Sequence, residues 1–280
     1  MNFDLSTRIN NAIKLAINNE IDDTLLLQLI EDFAPYSVNQ NLAHQFLELA
    51  HFSNVCLVIS NSSKIEEWFS FVTRVIEVSN YHFGFMLRQR CSKYSEKVAL
   101  NIVKDNSTKA ISYSQLWSKT VEVTKSLIAF NDKTKINVGI LSNNNLNTVL
   151  VDFSCLSFGL RVIPVPLNST AESLSYILEH AEINLLFVGG KKGVLLLSQI
   201  DLDKKISVIN LDNIDDVSKK LGYQTWETFL KKGDSIEQFD IDSYFSNIDI
   251  NSINTIMYTS GTTDYPKGII FTQKNIITKR

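Results

Sequence analysis

The chain has 280 residues, 44% hydrophobic and 20% charged, with 10 glycines and 4 prolines. That is the composition of an ordinary globular protein, long enough for one large or two small domains, and it excludes the collagen-like, coiled-coil and disordered classes. Lys and Arg number 27 against 30 Asp and Glu, a net charge of −3, so no overall basic field exists for nucleic acid or anionic lipid. Cys56, Cys91 and Cys155 are odd in number, far apart and set among apolar residues, and they read as free buried thiols in a reducing compartment. The N-terminus lacks the basic start and apolar run of a signal peptide, and no window approaches about 18 uninterrupted apolar residues. A cytoplasmic chain with no transmembrane segment is expected.

Residues 1–80 place apolar side chains at helical spacing, for example Leu5, Ile9, Ala12, Ile13 and Ala16, then Leu42, Phe46, Leu47 and Leu49. This stretch is predicted to be an α-helical leader. Ser37 and Ser62 or Ser63 are candidate helix starts, and Pro35 separates two of the helices. No catalytic constellation stands out in it. His44 and His51 are seven apart, about 10 Å along a helix at roughly 1.5 Å per residue, too far for one metal ion, and they read as packing or surface residues.

From about residue 98 the pattern changes to strands alternating with amphipathic helices, the signature of a mainly parallel α/β sheet with helical crossovers. Strands are predicted at 98–103, 138–142, 162–165, 185–188, 207–211 and 255–258. Helices are predicted at 113–130, 147–158, 170–181, 194–199 and 225–231. Ser112 with Gln115, and Ser169 with Glu172, have capping-box spacing. Gly159 reads as a helix stop, and Pro164 and Pro166 predict a strand that ends at a sheet edge or rim. Residues 233–252 are an acidic linker, while positive charge gathers after residue 267.

The chemistry-bearing stretch is Thr255-Ile-Met-Tyr-Thr-Ser-Gly-Thr-Thr-Asp-Tyr-Pro-Lys-Gly-Ile-Ile-Phe-Thr272. An apolar strand enters a loop of hydroxyls and glycine, which leaves through Pro-Lys-Gly into a second strand. Gly261 permits close backbone approach, Thr259, Ser260, Thr262 and Thr263 offer amides and hydroxyls, and Lys267 supplies positive charge, a set suited to a polyphosphate. The alternative is a Ser/Thr-rich hairpin turn. The loop is not a Walker A loop: Pro266 stands at the second glycine, Gly268 at the Ser/Thr, and β-like rather than helical sequence follows.

Tyr258-Thr-Ser-Gly-Thr-Thr-Asp-Tyr-Pro-Lys-Gly268 resembles the AMP-binding signature of the acyl-adenylate-forming enzymes, which include acyl-CoA synthetases, peptide synthetase adenylation domains and luciferases. Ile111-Ser-Tyr-Ser-Gln-Leu-Trp117 and Gly159-Leu-Arg-Val-Ile-Pro-Val-Pro-Leu-Asn168 resemble two upstream family segments, although Pro166 comes one residue early. The resemblance implies an N-terminal part of the family's large domain at 81–280, ending after the phosphate loop, with the role of 1–80 unexplained. It implies ATP and Mg2+ as cofactors, activation of a small-molecule carboxylate, a fatty acid in preference, to an acyl-adenylate, and transfer to coenzyme A or the pantetheine of an acyl or peptidyl carrier protein.

Carried over by position, Thr259, Ser260, Gly261, Thr262, Thr263 and Lys267 are the phosphate-loop residues, Lys267 stabilising phosphate charge, while Pro266 and Gly268 shape the loop. Asp264 departs from the family's glycine. The alternatives are an amino-acid adenylation domain and a non-catalytic nucleotide-binding remnant. The chain alone is expected to be inactive, with strand 255–258 in a sheet left uncovered on one side and self-association following. Ser235, in Gly233-Asp-Ser-Ile236, resembles a pantetheine attachment site, but the flanking linker leaves no room for a carrier fold. His82 and His180 do not read as catalysts, and His180 is expected to be solvated.

Overall fold

The computed structural model describes residues 2–33, 39–104, 107–130, 136–212, 221–259 and 265–279. Two compact units form, one from residues 1–89 with 274–280 and one from 90–273.

The first unit is helical: α1 (Asn2–Ile17), α2 (Asp23–Phe33), α3 (Gln40–Ala50), α4 (Ser53–Ser60), α5 (Ile65–Val78) and the start of α6 (Phe83–Lys93). The apolar stripes point inward as their spacing dictates, with Ile9, Leu26, Leu29, Phe46, Leu47 and Trp68 at most 2% exposed. Phe33, Phe46, Phe71 and Trp68 interlock at ring separations of 5.3–5.7 Å. Ser37 and Pro35 lie outside the described residues. Asn39 caps α3, accepting the Asn41 amide at 3.0 Å. Neither Ser62 nor Ser63 caps α5, which starts after Lys64 without a side-chain cap; the Ser62 hydroxyl instead accepts the Lys64 amide in a preceding turn. His44 and His51 pack on Tyr81, as packing residues would. Among the described residues no single helix is long and apolar enough to cross a membrane.

In the second unit, β1 (Val98–Lys104) and β2 (Ser107–Ser112) form an antiparallel hairpin. β2 escapes the sequence pattern because all but two of its residues face solvent, leaving no alternation to read. The Ser112–Gln115 capping box then starts α7 (Tyr113–Phe130), each partner holding the other's amide at 3.0 and 3.2 Å. Then follow β3 (Asn137–Leu141), α8 (Leu146–Ser157), β4 (Arg161–Pro164), α9 (Ala171–His180), β5 (Leu185–Val188) and α10 (Gly190–Leu197). Next come β6 (Ser207–Asn210), β7 (Gln224–Thr225), α11 (Trp226–Lys232), α12 (Ile241–Ser246), β8 (Ile253–Thr259), β9 (Lys267–Thr272) and α13 (Gln273–Thr278), the last lying mostly in the helical unit. α12 breaks the predicted linker, with Asp240 as its cap and Phe245 as its buried residue. α9 is capped by Thr170, not Ser169, through the Ser173 amide at 3.1 Å.

The seven strands run in the order β7-β6-β5-β3-β4-β8-β9, parallel throughout except for the final antiparallel pair. Side chains alternate across the sheet, so Leu186 and Val188 of β5 join Leu174, Ile177 and Leu197 of α9 and α10 in one core. Phe187, between them in sequence, faces the other side and meets Phe229 of α11 at 5.1 Å. β4 is an interior strand, so of the edge or rim that its prolines predict the edge does not hold, while the strand does end at a proline. Pro164 is its last residue, and only Val162↔Thr255 joins it to β8, so the missing amide falls where the ladder has already stopped. Gly159 has φ +70° and closes α8 as a left-handed stop, with the Leu160 amide on the Cys155 carbonyl at 3.0 Å. Cys91 and Cys155 are buried and free, but Cys56 is exposed, because it sits on the outer side of α4. Among the described residues β9 is an edge strand of the sheet, as is β7 at the other side, and Ile269 and Ile270 of β9 are 45% and 53% exposed.

Candidate functional site

β8 runs parallel to β4, so its last residue, Thr259, stands at the carboxyl edge of the sheet, where open α/β sheets bind ligands. β9 returns antiparallel in the register Thr259↔Lys267, Tyr258↔Gly268 and Met257↔Ile269. Thr259 and Lys267 therefore face each other across the mouth of the hairpin, and side chains of such a pair share one face of the sheet. Both are exposed, and among the described residues no carboxylate pairs with the Lys267 ammonium. Pro266 is half-buried beside them. Ser260, Gly261, Thr262, Thr263 and Asp264 lie outside the described residues.

The base of this hairpin is tied down by two buried amides that sequence reasoning passed over. Asn254 donates to the Leu160 carbonyl at 2.8 Å and to the Cys155 carbonyl at 3.3 Å. Gln273, the first residue of α13, donates to the Leu156 carbonyl at 2.8 Å. The Leu156 carbonyl lies in the last turn of α8, where carbonyls lack a helical partner; the Cys155 carbonyl there also takes the Leu160 amide, and Leu160 itself lies just beyond the helix. For Asn254 the available signal was a lone amide between Ile253 and Thr255-Ile256 in an otherwise apolar strand, since an amide in a core must find a partner; Gln273, between Thr272 and Lys274, carries no such signal.

Near the mouth, the Tyr258 side chain turns inward and is only 7% exposed. Its hydroxyl lies 2.7 Å from Nδ1 of His180, the last residue of α9. Burial pushes the phenol ionisation of Tyr258 up, and the neighbouring Tyr176 adds to this. His180 is thus exposed but not merely solvated, as its place in the sequence suggested. Gly268 makes room for this arrangement: a Cβ there would sit 3.1 Å from Ile256 Cγ2 and 3.3 Å from Tyr258 Cζ.

Among the described residues Ser235, His82 and a cleft beside β5 and β6 do not assemble a second site. Ser235 is fixed in a one-turn 3-10 helix by its bond to the Lys232 carbonyl, and Gly233 packs on Ser126. His82 is fully buried and accepts the Gly84 amide at 3.1 Å. A cleft of about 530 Å³, lined by Glu179, Glu182, Asp203 and Lys205, opens at the amino ends of β5 and β6, the opposite edge from Thr259.

The family model described as AMP-binding enzyme matches residues 87–280. The chain belongs to the AMP-binding enzyme family. Among its relatives, fatty acyl-CoA synthetase B of Dictyostelium discoideum is 30% identical over 206 residues, 68% of this chain and 30% of that protein. The long-chain-fatty-acid-CoA ligase ACSBG2 of Xenopus laevis is 25% identical over 192 residues, 68% of this chain and 26% of that protein. The chain thus matches less than a third of the length of either relative. A red-emitting luciferase from Phrixothrix hirtus superposes with a TM-score of 0.56 at 23% identity, over 70% of this chain and 37% of the luciferase. The α/β fold expected from the sequence, that of the N-terminal part of the adenylate-forming large domain, is the fold observed.

Proposed function

We propose that this chain carries the triphosphate-holding hairpin of an ATP-dependent, cytoplasmic enzyme that activates a carboxylic acid as its acyl-adenylate and passes it to a thiol. The observation that carries the reading is the opposition of Thr259 and Lys267 at the carboxyl edge of the sheet, on either side of Ser260, Gly261, Thr262 and Thr263. In that reaction a carboxylate oxygen bonds to the α-phosphorus of ATP, the bond from that phosphorus to the bridging oxygen breaks, and the electron pair leaves with pyrophosphate. The Lys267 ammonium would offset the charge gathering on the departing phosphates, and the Thr259 hydroxyl would donate a hydrogen bond to them.

Among the described residues no group of three His, Cys, Asp or Glu could hold a metal ion, so in this reading Mg2+ binds as the nucleotide complex. A fatty acid is favoured over an amino acid because the two relatives above are named for fatty acyl substrates. Coenzyme A or a carrier-protein pantetheine would be the acyl acceptor, and residues 1–80 a separate helical leader.

The test is equilibrium titration of the 280-residue chain with MgATP. Lys267→Ala removes a charge-assisted hydrogen bond and is expected to weaken binding tenfold or more, on the order of 1.4 kcal/mol per tenfold. A long-chain fatty acid is expected to tighten MgATP binding and an amino acid to leave it unchanged. No binding by the unaltered chain, or equal affinity in Lys267→Ala, would overturn the phosphate reading. Tightening by amino acids alone would overturn the choice of acid.

A further inference from the structure

We infer that His180 is a positioning residue for the Thr259 end of β8, acting through the Tyr258 hydroxyl; the inference rests on the phosphate-holding reading above. Tyr258 is the residue before Thr259, so whatever fixes its side chain fixes the strand end that presents the Thr259 hydroxyl. Its partner is 78 positions away in sequence, at the C-terminus of the crossover helix α9, and the 2.7 Å separation is that of a well-formed hydrogen bond.

The contact is one part of a clamp. Tyr176, one turn earlier on α9, stacks on His180 with centroids 5.1 Å apart and planes 27° apart. Tyr265, just before Pro266 and Lys267, meets Tyr176 at 4.8 Å. One turn of α9 therefore holds residues on both sides of the hairpin mouth: Tyr258 leads to Thr259, and Tyr265 leads to Lys267. The hydroxyl keeps the clamp in register, because it sits part-buried at the end of a ring that is otherwise buried, and His180 is the side chain that meets it there. Glycine at 268 is the complementary feature, since a larger residue would press on the Tyr258 ring and shift its hydroxyl.

Removing the bond frees the strand end without removing a phosphate ligand, so the loss falls on nucleotide affinity and is smaller than that of Lys267→Ala. Titrations with MgATP, thermal melts and 15N-histidine NMR on the full chain test this. Tyr258→Phe and His180→Ala are each expected to weaken MgATP about fivefold, the scale of one neutral hydrogen bond. The double variant is expected to be no weaker than either single one, because both break the same contact. His180→Asn, which places a hydrogen-bonding atom near the position of Nδ1, is expected to recover most of the affinity.

In the unaltered chain the His180 Nδ1 resonance should move when MgATP is added, and in Tyr258→Phe it should not. If the two variants bind MgATP as well as the unaltered chain while Lys267→Ala is weakened, or if their losses add, the positioning role is wrong and the phosphate reading stands. If the unaltered chain does not bind MgATP, both fall together.

Discussion

Acid should weaken the helical unit through a single histidine. His44 lies on α3 with its ring against Phe85 at 4.5 Å and Tyr81 at 5.0 Å. Burial first, and the Arg88 guanidinium second, lower its pKa from 6.5 to about 4, against a smaller opposing hydrogen bond with the Ser79 backbone. In the unfolded chain the same residue takes up its proton near its ordinary value. Between the two values the unfolded state binds more protons than the folded one, so stability falls as pH falls. The contribution is complete above 6.5 and gone below about 4.

At about 1.4 kcal/mol per pH unit the gap corresponds to at most about 3 kcal/mol, an upper bound because the ring is only partly buried and water screens its exposed edge. The chain has three tryptophans, and Trp68 is the one in the helical unit, where it is 2% exposed. In a Trp117→Phe, Trp226→Phe background its fluorescence reports that unit alone. Urea midpoints measured from pH 7 to pH 4.5 should fall more steeply for this protein than for the same protein carrying His44→Gln, which cannot titrate there. Parallel curves, or an NMR titration of His44 with its midpoint near 6.5, would refute the reasoning.

Two further outcomes concern packing and thiol chemistry. Phe229 is fully buried and wedged between Phe187 and Trp226, so Phe229→Ala should destabilise the sheet unit by about 3–5 kcal/mol in chemical denaturation; a loss under about 1 kcal/mol would mean that the site collapses without a cavity. With an aromatic disulfide reagent at pH 8, only Cys56 should react in the native protein. Burial pushes Cys91 up to about 11, and burial with the nearby Asp152 pushes Cys155 well above the ordinary thiol value, so neither supplies accessible thiolate. Rapid reaction of a second thiol, or undiminished reaction in Cys56→Ser, would contradict this.

The helices and strands that sequence reasoning recovered are those whose burial repeats along the chain. β5 is Leu-Leu-Phe-Val, buried on both faces, and reads as an interior strand from four letters; α9 shows its apolar stripe through Leu174, Ile177 and Leu178. β2 and α12 were missed for the opposite reason, since each buries a single residue and presents no period. Cap positions slipped by one residue at α9 because Ser169 and Thr170 are both competent caps, and only the path of the chain decides which hydroxyl faces the Ser173 amide. β4 shows the same limit at sheet scale. Its prolines restrict which amides can bond, but the neighbour that would have asked for those amides is β8, some ninety residues later.

Local order, by itself, therefore determined three things: the change from helices to alternating strands and helices, the hydroxyl-rich connection between two apolar strands, and the Pro-Lys-Gly exit from it. All three are written within a helical turn or two of sequence, because backbone propensity and one-sided burial act over that range. Tertiary structure decided the rest. The pairing of Tyr258 with His180 and the anchoring of Asn254 and Gln273 on α8 bridge 78, 99 and 117 positions. Contacts of that reach leave no period in the chain, since they depend on where the parallel sheet brings the carboxyl end of one strand and the last turn of a distant helix.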